Sequence, residues 1–432
     1  MTTSIRGRRT QMFAASLLFA SMGFSTTAIA EDLLKVYRLA LDNDPTYQAA
    51  KFQYTATTEV MPQARAGLLP DLAFEAERIE TQQDIRSSDN TYYASGDTRF
   101  PTDNLTLSLT QPVFRYSSWI EYQQSKLAVQ QAETELSSAQ QQLIIDVAGA
   151  YFSVLATKDN LDYARTEKAA VGQQLEFTKI RTRTGIARAT DLYDAEARFA
   201  LSESREIEAQ FALDDSYQAL REHTNQPITQ LTAVRESMPL IAPNPADLEQ
   251  WIKTALEQNL VLEARRLSLD VAKQEVDRQK AGHMPTLDLV ATANRRNTDG
   301  SLLGGGSEVE TTDVLLRFSL PLYQGGRVQS KMRQAVNMRE KSTREMEAER
   351  RKVMCETRAA YLGVLSGIKK VEALNQAIVS QQSAMEVKTA GLRAGVNTLL
   401  EVLDAQRYLY FARGDYSKAR YDYLISTLKL KQ

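Results

Sequence analysis

The chain has one cysteine, Cys355, and two histidines, His223 and His283, among 432 residues. A lone thiol forms no intramolecular disulfide, so the fold is expected to hold by packing alone. One cysteine and two histidines also fall short of a zinc site of the usual kind. No P-loop, GxSxG or GxGxxG motif is present, and Gly304 to Gly306 read as a loop cluster rather than a phosphate cradle. Carboxylate pairs are abundant, but on helices they more often form a solvated face than an acid/base pair. The expectation is therefore of no enzyme: no catalytic residue, no cofactor and no metal. Beyond the N-terminus no run approaches 18 apolar residues, so no transmembrane helix is expected. The net charge is −2 with no polybasic tract, which argues against a nucleic-acid partner.

Proline is missing from two long stretches, between Pro112 and Pro227 and after Pro321. Both are rich in Gln, Glu, Ala, Leu, Lys and Arg, which is helix composition. Ser118 to Thr184 and 327–393 read as helices of roughly 100 Å at about 1.5 Å per residue. Within the first, Ala128, Ala132, Leu136, Ala139, Leu143, Val147, Tyr151 and Val154 recur every three or four residues. Their mean spacing of ~3.7 argues against a tight left-handed supercoil. Gly185 and Gly395 break the long helices, and 191–225 and 397–432 return beside them. Residues 34–63 and 246–281 are the remaining helical stretches. In each half the two shorter pieces together nearly match the long helix, so they are expected to stack end to end along it.

Each long helix follows a strand. Leu105, Leu107 and Leu109 alternate with Thr106, Ser108 and Thr110, and Pro112, lacking an N–H, is expected to end that ladder. Val314, Leu316, Phe318 and Leu320 alternate in the second half. Leu72, Phe74 and Ala76 suggest a further strand, as do Leu287, Leu289, Ala291 and Ala293, with Val290 out of phase. Residues 82–103 read as a polar exposed loop. Four strands of roughly ten residues are long enough to cross an outer membrane at a tilt. Phe114, Tyr116, Trp119 and Tyr323 are placed just past the strand ends, where barrel girdles lie.

The N-terminus carries Arg6, Arg8 and Arg9, a short apolar run and Ala28-Ile29-Ala30, so 1–30 read as a signal peptide whose removal takes the charge to −5. Residue 31 is Glu, so no lipid anchor is expected there. The rest divides into a first repeat, 31–226, a proline-rich linker, 227–245, and a second repeat, 246–432. Ala66-Gly67 and Pro70 recur 215 residues later as Ala281-Gly282 and Pro285; Ala150-Tyr151, Gly185 and Asp194-Ala195 recur 210 later. The chain is an internal duplication of helix–strand–strand–long helix–helix, an α+β membrane protein. Four strands cannot close a barrel and open edges are not tolerated in lipid, so closure must be shared between chains.

The mature sequence resembles the TolC family of outer-membrane export channels, non-lipidated branch. The resemblance is carried by LALDNDP (39–45), AGLLPDL (66–72), LTQPVF (109–114), AYFSVL (150–155), GIARATDLYDAEA (185–197), AGHMPTLDL (281–289), LPLYQGGRV (320–328), GVNTLLEVLDAQ (395–406) and ARYDYLIS (419–426). It implies a homotrimer with a 12-strand β-barrel in outer-membrane lipid on a 12-helix α-barrel in the periplasm. It also implies passive type I secretion or efflux of proteins or toxic compounds, with a periplasmic adaptor (membrane fusion) protein and an inner-membrane ABC or proton-driven pump as partners. By the same resemblance Glu401 and Asp404 match acidic rings at the periplasmic aperture, and Thr190 and Asp191 match acceptors of its locking links. The family's donor positions hold Leu392 and Asn397 here; Arg188 or Arg393 could substitute. A helix-capping role for Thr190, Asp191 and Glu401 stands beside that reading. A periplasmic coiled-coil adaptor or scaffold is the alternative to the channel.

Overall fold

The computed structural model describes residues 31–87, 96–235, 238–300 and 305–432. The expected signal peptide lies outside the described residues, as does the centre of the expected loop 82–103. The first half runs α1 (Leu33–Asn43), α2 (Pro45–Thr58), α3 (Val60–Ala66), β1 (Asp71–Ile85), β2 (Gly96–Arg115), α4 (Tyr116–Arg183) and α5 (Ala189–Thr224). The second repeats that order as α6 (Leu248–Gln258), α7 (Leu260–Lys280), β3 (Thr286–Thr298), β4 (Ser307–Ser319), α8 (Arg327–Arg393) and α9 (Leu399–Lys431). The repeat extends to the caps. Asp44 Oδ1 accepts from Tyr47 N at 2.7 Å to start α2, with Pro45 in the first turn. Asn259 Oδ1 accepts from Leu262 N at 3.0 Å to start α7. A short polar side chain ahead of a helix satisfies amides that have no partner within it.

The 68 residues of α4 span about 100 Å and organise the rest. Helices α1 to α3 and α5 all pack on it, and so do α7 and α9 from the second half. Near its middle Leu143, Val147, Tyr151, Phe152, Val154 and Leu155 are buried with Val36 and Ala40 of α1, Leu220 of α5, Leu231 of the linker and Tyr421 of α9. Burial there covers most of the circumference of α4, leaving Asp146 and Ser153 exposed on one side, whereas nearer the strands Ala128, Leu136 and Ala139 of the expected stripe are only half-buried. The linker is pinned at this level: Tyr151 OH donates to the Thr232 carbonyl at 2.7 Å, and Glu31 N to the Gln230 carbonyl at 2.9 Å. The junction between α5 and the α1–α2 turn is closed by His223 Nδ1 and Asp44 Oδ2, 2.8 Å apart.

The strands form one antiparallel sheet in the order β1-β2-β3-β4, which leaves β1 and β4 as open edges. Residues paired across antiparallel strands share a face, so the register sorts every side chain. One face carries the rows Phe114–Leu287–Phe318, Leu289–Leu316, Leu72–Leu109–Ala291–Val314 and Phe74–Leu107–Ala293–Thr312. Beyond Ala76 and Leu105 it turns charged, with Arg295 paired to Glu308 and Arg78 lying 3.6 Å from Asp103. The opposite face carries Asp71, Glu75, Glu77, Thr106, Ser108, Thr110, Thr292, Asn294 and Asp313. There Asn294 Nδ2 donates to Asn104 Oδ1 at 2.7 Å and to Thr106 Oγ1 at 2.8 Å. From Phe318 to Glu310 a strand advances about 27 Å, or roughly 20 Å of height at a ~40° tilt, close to the apolar belt of an outer-membrane barrel.

Three sequence expectations are corrected. The strands are longer than ten residues, at 15, 20, 13 and 13, because their ends continue past the apolar belt as charged and polar rungs. Residues 82–85 and 96–103, expected to be loop, are strand: 82–85 pair with 96–99, Asp84 opposite Asp97 and Gln82 opposite Arg99, and 100–103 pair with 78–81. Pro112 does not end β2. Pairing with β1 stops at Thr110, so the missing N–H falls where that partner has gone. The strand continues against β3, with its register shifted between Pro112 and Phe114, as far as Arg115. Val290, out of phase in the sequence, lies on the polar face but is buried, opposite Thr110 and Leu315.

Candidate functional site

The far ends of the two long hairpins, α4–α5 and α8–α9, are built alike. At the end of α4, Ile186 N and Ala187 N both donate to the Arg181 carbonyl, at 2.8 and 3.1 Å. At the end of α8, Val396 N and Asn397 N donate to the Gly391 carbonyl at 2.8 and 3.2 Å. Each turn needs a left-handed residue, supplied by Gly185 (φ 71°) and Gly395 (φ 78°). A side chain at either position would cost about 1–2 kcal/mol.

The helices that start after these turns are capped by the acids expected at the aperture. Asp191 Oδ2 accepts from Arg188 N at 3.2 Å, and Thr190 lies beside it in the first turn of α5. Glu401 Oε2 accepts from Thr398 N and Asn397 Nδ2, each at 2.9 Å, while Thr398 Oγ1 accepts from Glu401 N at 3.3 Å. The Asn397 amide and then the Thr398 N–H hold the Glu401 carboxyl below the usual glutamate range. Gly391 makes this reach feasible: a Cβ there would come 1.9 Å from Asn397 Oδ1. The first hairpin has Arg181 and Ala187 at the corresponding places and lacks this arrangement.

Asp404 is engaged differently. Its Oδ1 lies 3.1 Å from Arg198 Nη1 of α5 and 3.6 Å from Arg407 Nη2 of its own helix. This ion pair joins the two hairpins of one chain. Arg188 contributes through its backbone amide, and Arg393 is exposed in the last turn of α8. Sequence reading missed Arg198. One hint was present: Asp194 has Arg198 four residues on, the spacing for a pair within a helix, whereas its repeat counterpart Asp404 has Tyr408 there.

Of the four girdle aromatics, Phe114 lies inside β2 rather than past its end, on the apolar face opposite Leu287. Tyr116 and Trp119 are in the first turn of α4, and Tyr323 lies after β4. All four are exposed, Tyr323 at 86%. Among the described residues no helix is long and apolar enough to cross a membrane. No cluster of three metal-ligating side chains occurs among them either.

Comparison with known proteins places this architecture. Residues 36–226 and 251–432 match the family described as outer membrane efflux protein, one match in each half. The chain belongs to this family. Its similarity to the outer membrane protein TolC of Vibrio cholerae is 34% identity, covering 96% of this chain and 93% of the relative. The alkaline protease secretion protein AprF of Pseudomonas aeruginosa is 29% identical, with 99% and 88% covered. The crystal structure of the outer membrane protein VceC of Vibrio cholerae shares the fold, with a TM-score of 0.78 at 18% identity over 92% of this chain and 94% of that one. As a member of the outer membrane efflux protein family the chain is an outer-membrane export channel, and the adaptor alternative is not favoured. The two-faced sheet is the membrane part of such a channel.

Proposed function

We propose that three copies close into a twelve-strand barrel over a twelve-helix periplasmic tunnel, a passive conduit that catalyses no reaction and needs no cofactor. Residues 1–30 direct export and are then removed, and the repeats 31–226 and 246–432, joined by 227–245, supply one third of the wall. The conduit opens when a periplasmic adaptor and an inner-membrane ABC or proton-driven pump dock on it. Phe114, Tyr116, Trp119 and Tyr323 sit at the barrel's periplasmic interface. Thr190, Asp191, Glu401 and Asp404 sit at the tunnel mouth.

The observation that carries this reading is a pair of uncovered surfaces. Both edges of the sheet are open, and every residue of β4 is exposed. On α5, Tyr193, Ala197, Ala200, Ser204, Ile207 and Phe211 recur at alternating four- and three-residue steps, and all are exposed. That is a coiled-coil seam without a partner in its own chain. On α8, Ala373, Gln376, Ser380, Ser383, Val387 and Ala390 form a second exposed seam of mostly small residues. The large residues of one stripe suit the small ones of the other at matching distances from the hairpin ends. Two copies would supply eight strands, but so narrow a barrel is filled by side chains. Three leave a passage.

A cysteine-scanning experiment tests the closure. In a Cys355→Ser background, Ile207→Cys combined in turn with Ala373→Cys, Gln376→Cys or Ser380→Cys should give one combination that oxidises to a covalent trimer on non-reducing gels. Monomer throughout would defeat the proposal, and a covalent dimer alone would replace it with the eight-strand form.

AprF is named for secretion of an alkaline protease, which supports protein export as one cargo class for this chain. Deleting the gene should either remove defined proteins from the culture medium or lower the tolerated concentration of several unrelated toxic compounds. A strain unchanged in both respects would contradict the export role.

A further inference from the structure

The internal duplication reaches the pairing of single residues in the sheet. Leu72 lies opposite Leu109 in the first half, and Leu287 opposite Phe318 in the second. A shift of 215 residues thus carries β1 onto β3, and one of 209 carries β2 onto β4, rung for rung along both pairs. The pairing of β2 with β3 has no such copy inside the chain. In the closed barrel proposed above, on which this inference rests, its copy is β4 against the β1 of a neighbouring chain.

The same two shifts therefore give the register of that seam. Gln111 opposite Leu289 and Leu109 opposite Ala291 become Leu320 opposite Phe74 and Phe318 opposite Ala76, on the apolar face. Between them, on the polar face, Ser108 opposite Thr292 becomes Arg317 opposite Glu77. A rung that is neutral within the chain thus carries opposite charges between chains. Both side chains are exposed, and among the described residues neither makes an ion pair or hydrogen bond in its own chain. Arg317 faces Asp288 on β3, but both oxygens of that carboxylate accept from Arg115. Glu77 faces Asn104 on β2, whose Oδ1 accepts from Asn294.

We propose that Arg317 of one copy pairs with Glu77 of the next across the barrel seam, and that this pair is how one open edge recognises the other. Within a chain, covalent connections limit the register. Across the seam only side chains do so, and a slip of two residues would keep every side chain on its own face. A base on one edge and an acid on the other suit a head-to-tail ring in which every copy gives one of each. An opposite-charge pair across strands strengthens a seam by up to about fivefold, or ~100-fold over three seams.

The test uses purified full-length trimers in detergent, reading their rate of dissociation in dodecyl sulfate on gels. Glu77→Arg sets like charges opposite each other and should raise that rate by ~100-fold or more. Arg317→Gln in the same background should return most of the loss, and Glu75→Arg, one rung away, should have a several-fold smaller effect. In a Cys355→Ser background, Glu77→Cys with Arg317→Cys should oxidise to a covalent trimer. Glu75→Cys with Arg317→Cys should not, because diagonal neighbours lie about 7–8 Å apart, too far for a disulfide. An unchanged rate in Glu77→Arg would overturn the pair. A larger effect from Glu75→Arg, or cross-linking through Glu75→Cys, would overturn the register. A covalent trimer through Ile207→Cys of the helical seam, with none through Glu77→Cys, would overturn this inference and leave the channel reading standing. Monomer from both would defeat the channel reading itself.

Discussion

Arg115→Ala should cost about 3–5 kcal/mol and leave little heat-stable barrel. Arg115 Nε and Nη2 donate to Asp288 Oδ1 and Oδ2, both at 2.9 Å. The pair crosses from β2 to β3 and so joins the first half of the chain to the second at the base of the sheet. Asp288 is only 8% exposed. Removing the guanidinium strips a carboxylate shielded from water of its two-bond partner and leaves only Arg317, opposite it on β4, as a neighbouring positive charge, and that penalty exceeds the net worth of the intact pair. Replacing both partners, as Arg115→Met with Asp288→Leu, should therefore recover most of the loss. Urea unfolding in detergent, followed by the heat-dependent gel shift of the barrel, separates the cases. If the single replacement is as stable as the double, Asp288 is better hydrated than its burial indicates.

The second large effect tests the assignment of the two faces. Leu107 lies in the row with Phe74, Ala293 and Thr312 on the apolar face, while its neighbour Thr106 points the other way among Glu75, Asn294 and Thr311. Leu109→Arg, one row further from the charged rungs and in the middle of the apolar belt with Leu72, Ala291 and Val314, puts a charge into hydrocarbon and should destabilise folding into lipid by about 2–4 kcal/mol, the cost of an arginine near the midplane. Thr106→Arg puts the same charge into the water-filled interior next to Glu75 and should change stability by less than about 1 kcal/mol. Equilibrium folding into liposomes along a urea series gives both numbers. Equal costs, or the reverse order, would show that the sheet is turned the other way round or lies outside the bilayer.

The helices were legible in the sequence because their signal is local. A long stretch without proline and rich in good helix formers declares itself, and the expected start of the first long helix at Ser118 was two residues from the observed Tyr116. The glycines at 185 and 395 marked the turns for an equally local reason, since the left-handed geometry there disfavours any other side chain. The outer parts of β1 and β2 were illegible because they have no apolar alternation. Gln82, Asp84, Asp97 and Arg99 look like loop until each is set opposite its partner, and the partner, not the residue, makes them strand. Pro112 misled for a related reason: a missing donor matters only on a side where another strand waits. Arg198 was hidden because its ion pair joins positions 206 apart in the chain, and nothing in either helix alone says which face of α5 looks toward α9.

The buried cluster near the middle of α4 has a mechanical consequence. Held there by α1, the linker and α9, the α4–α5 hairpin behaves as a beam resting on a central support, with roughly 45 Å of arm from Val154 to the end of α4 at ~1.5 Å per residue. A rotation of only about 5° at the support swings the end of that arm through ~4 Å, wider than a water molecule, while the membrane end need not deform.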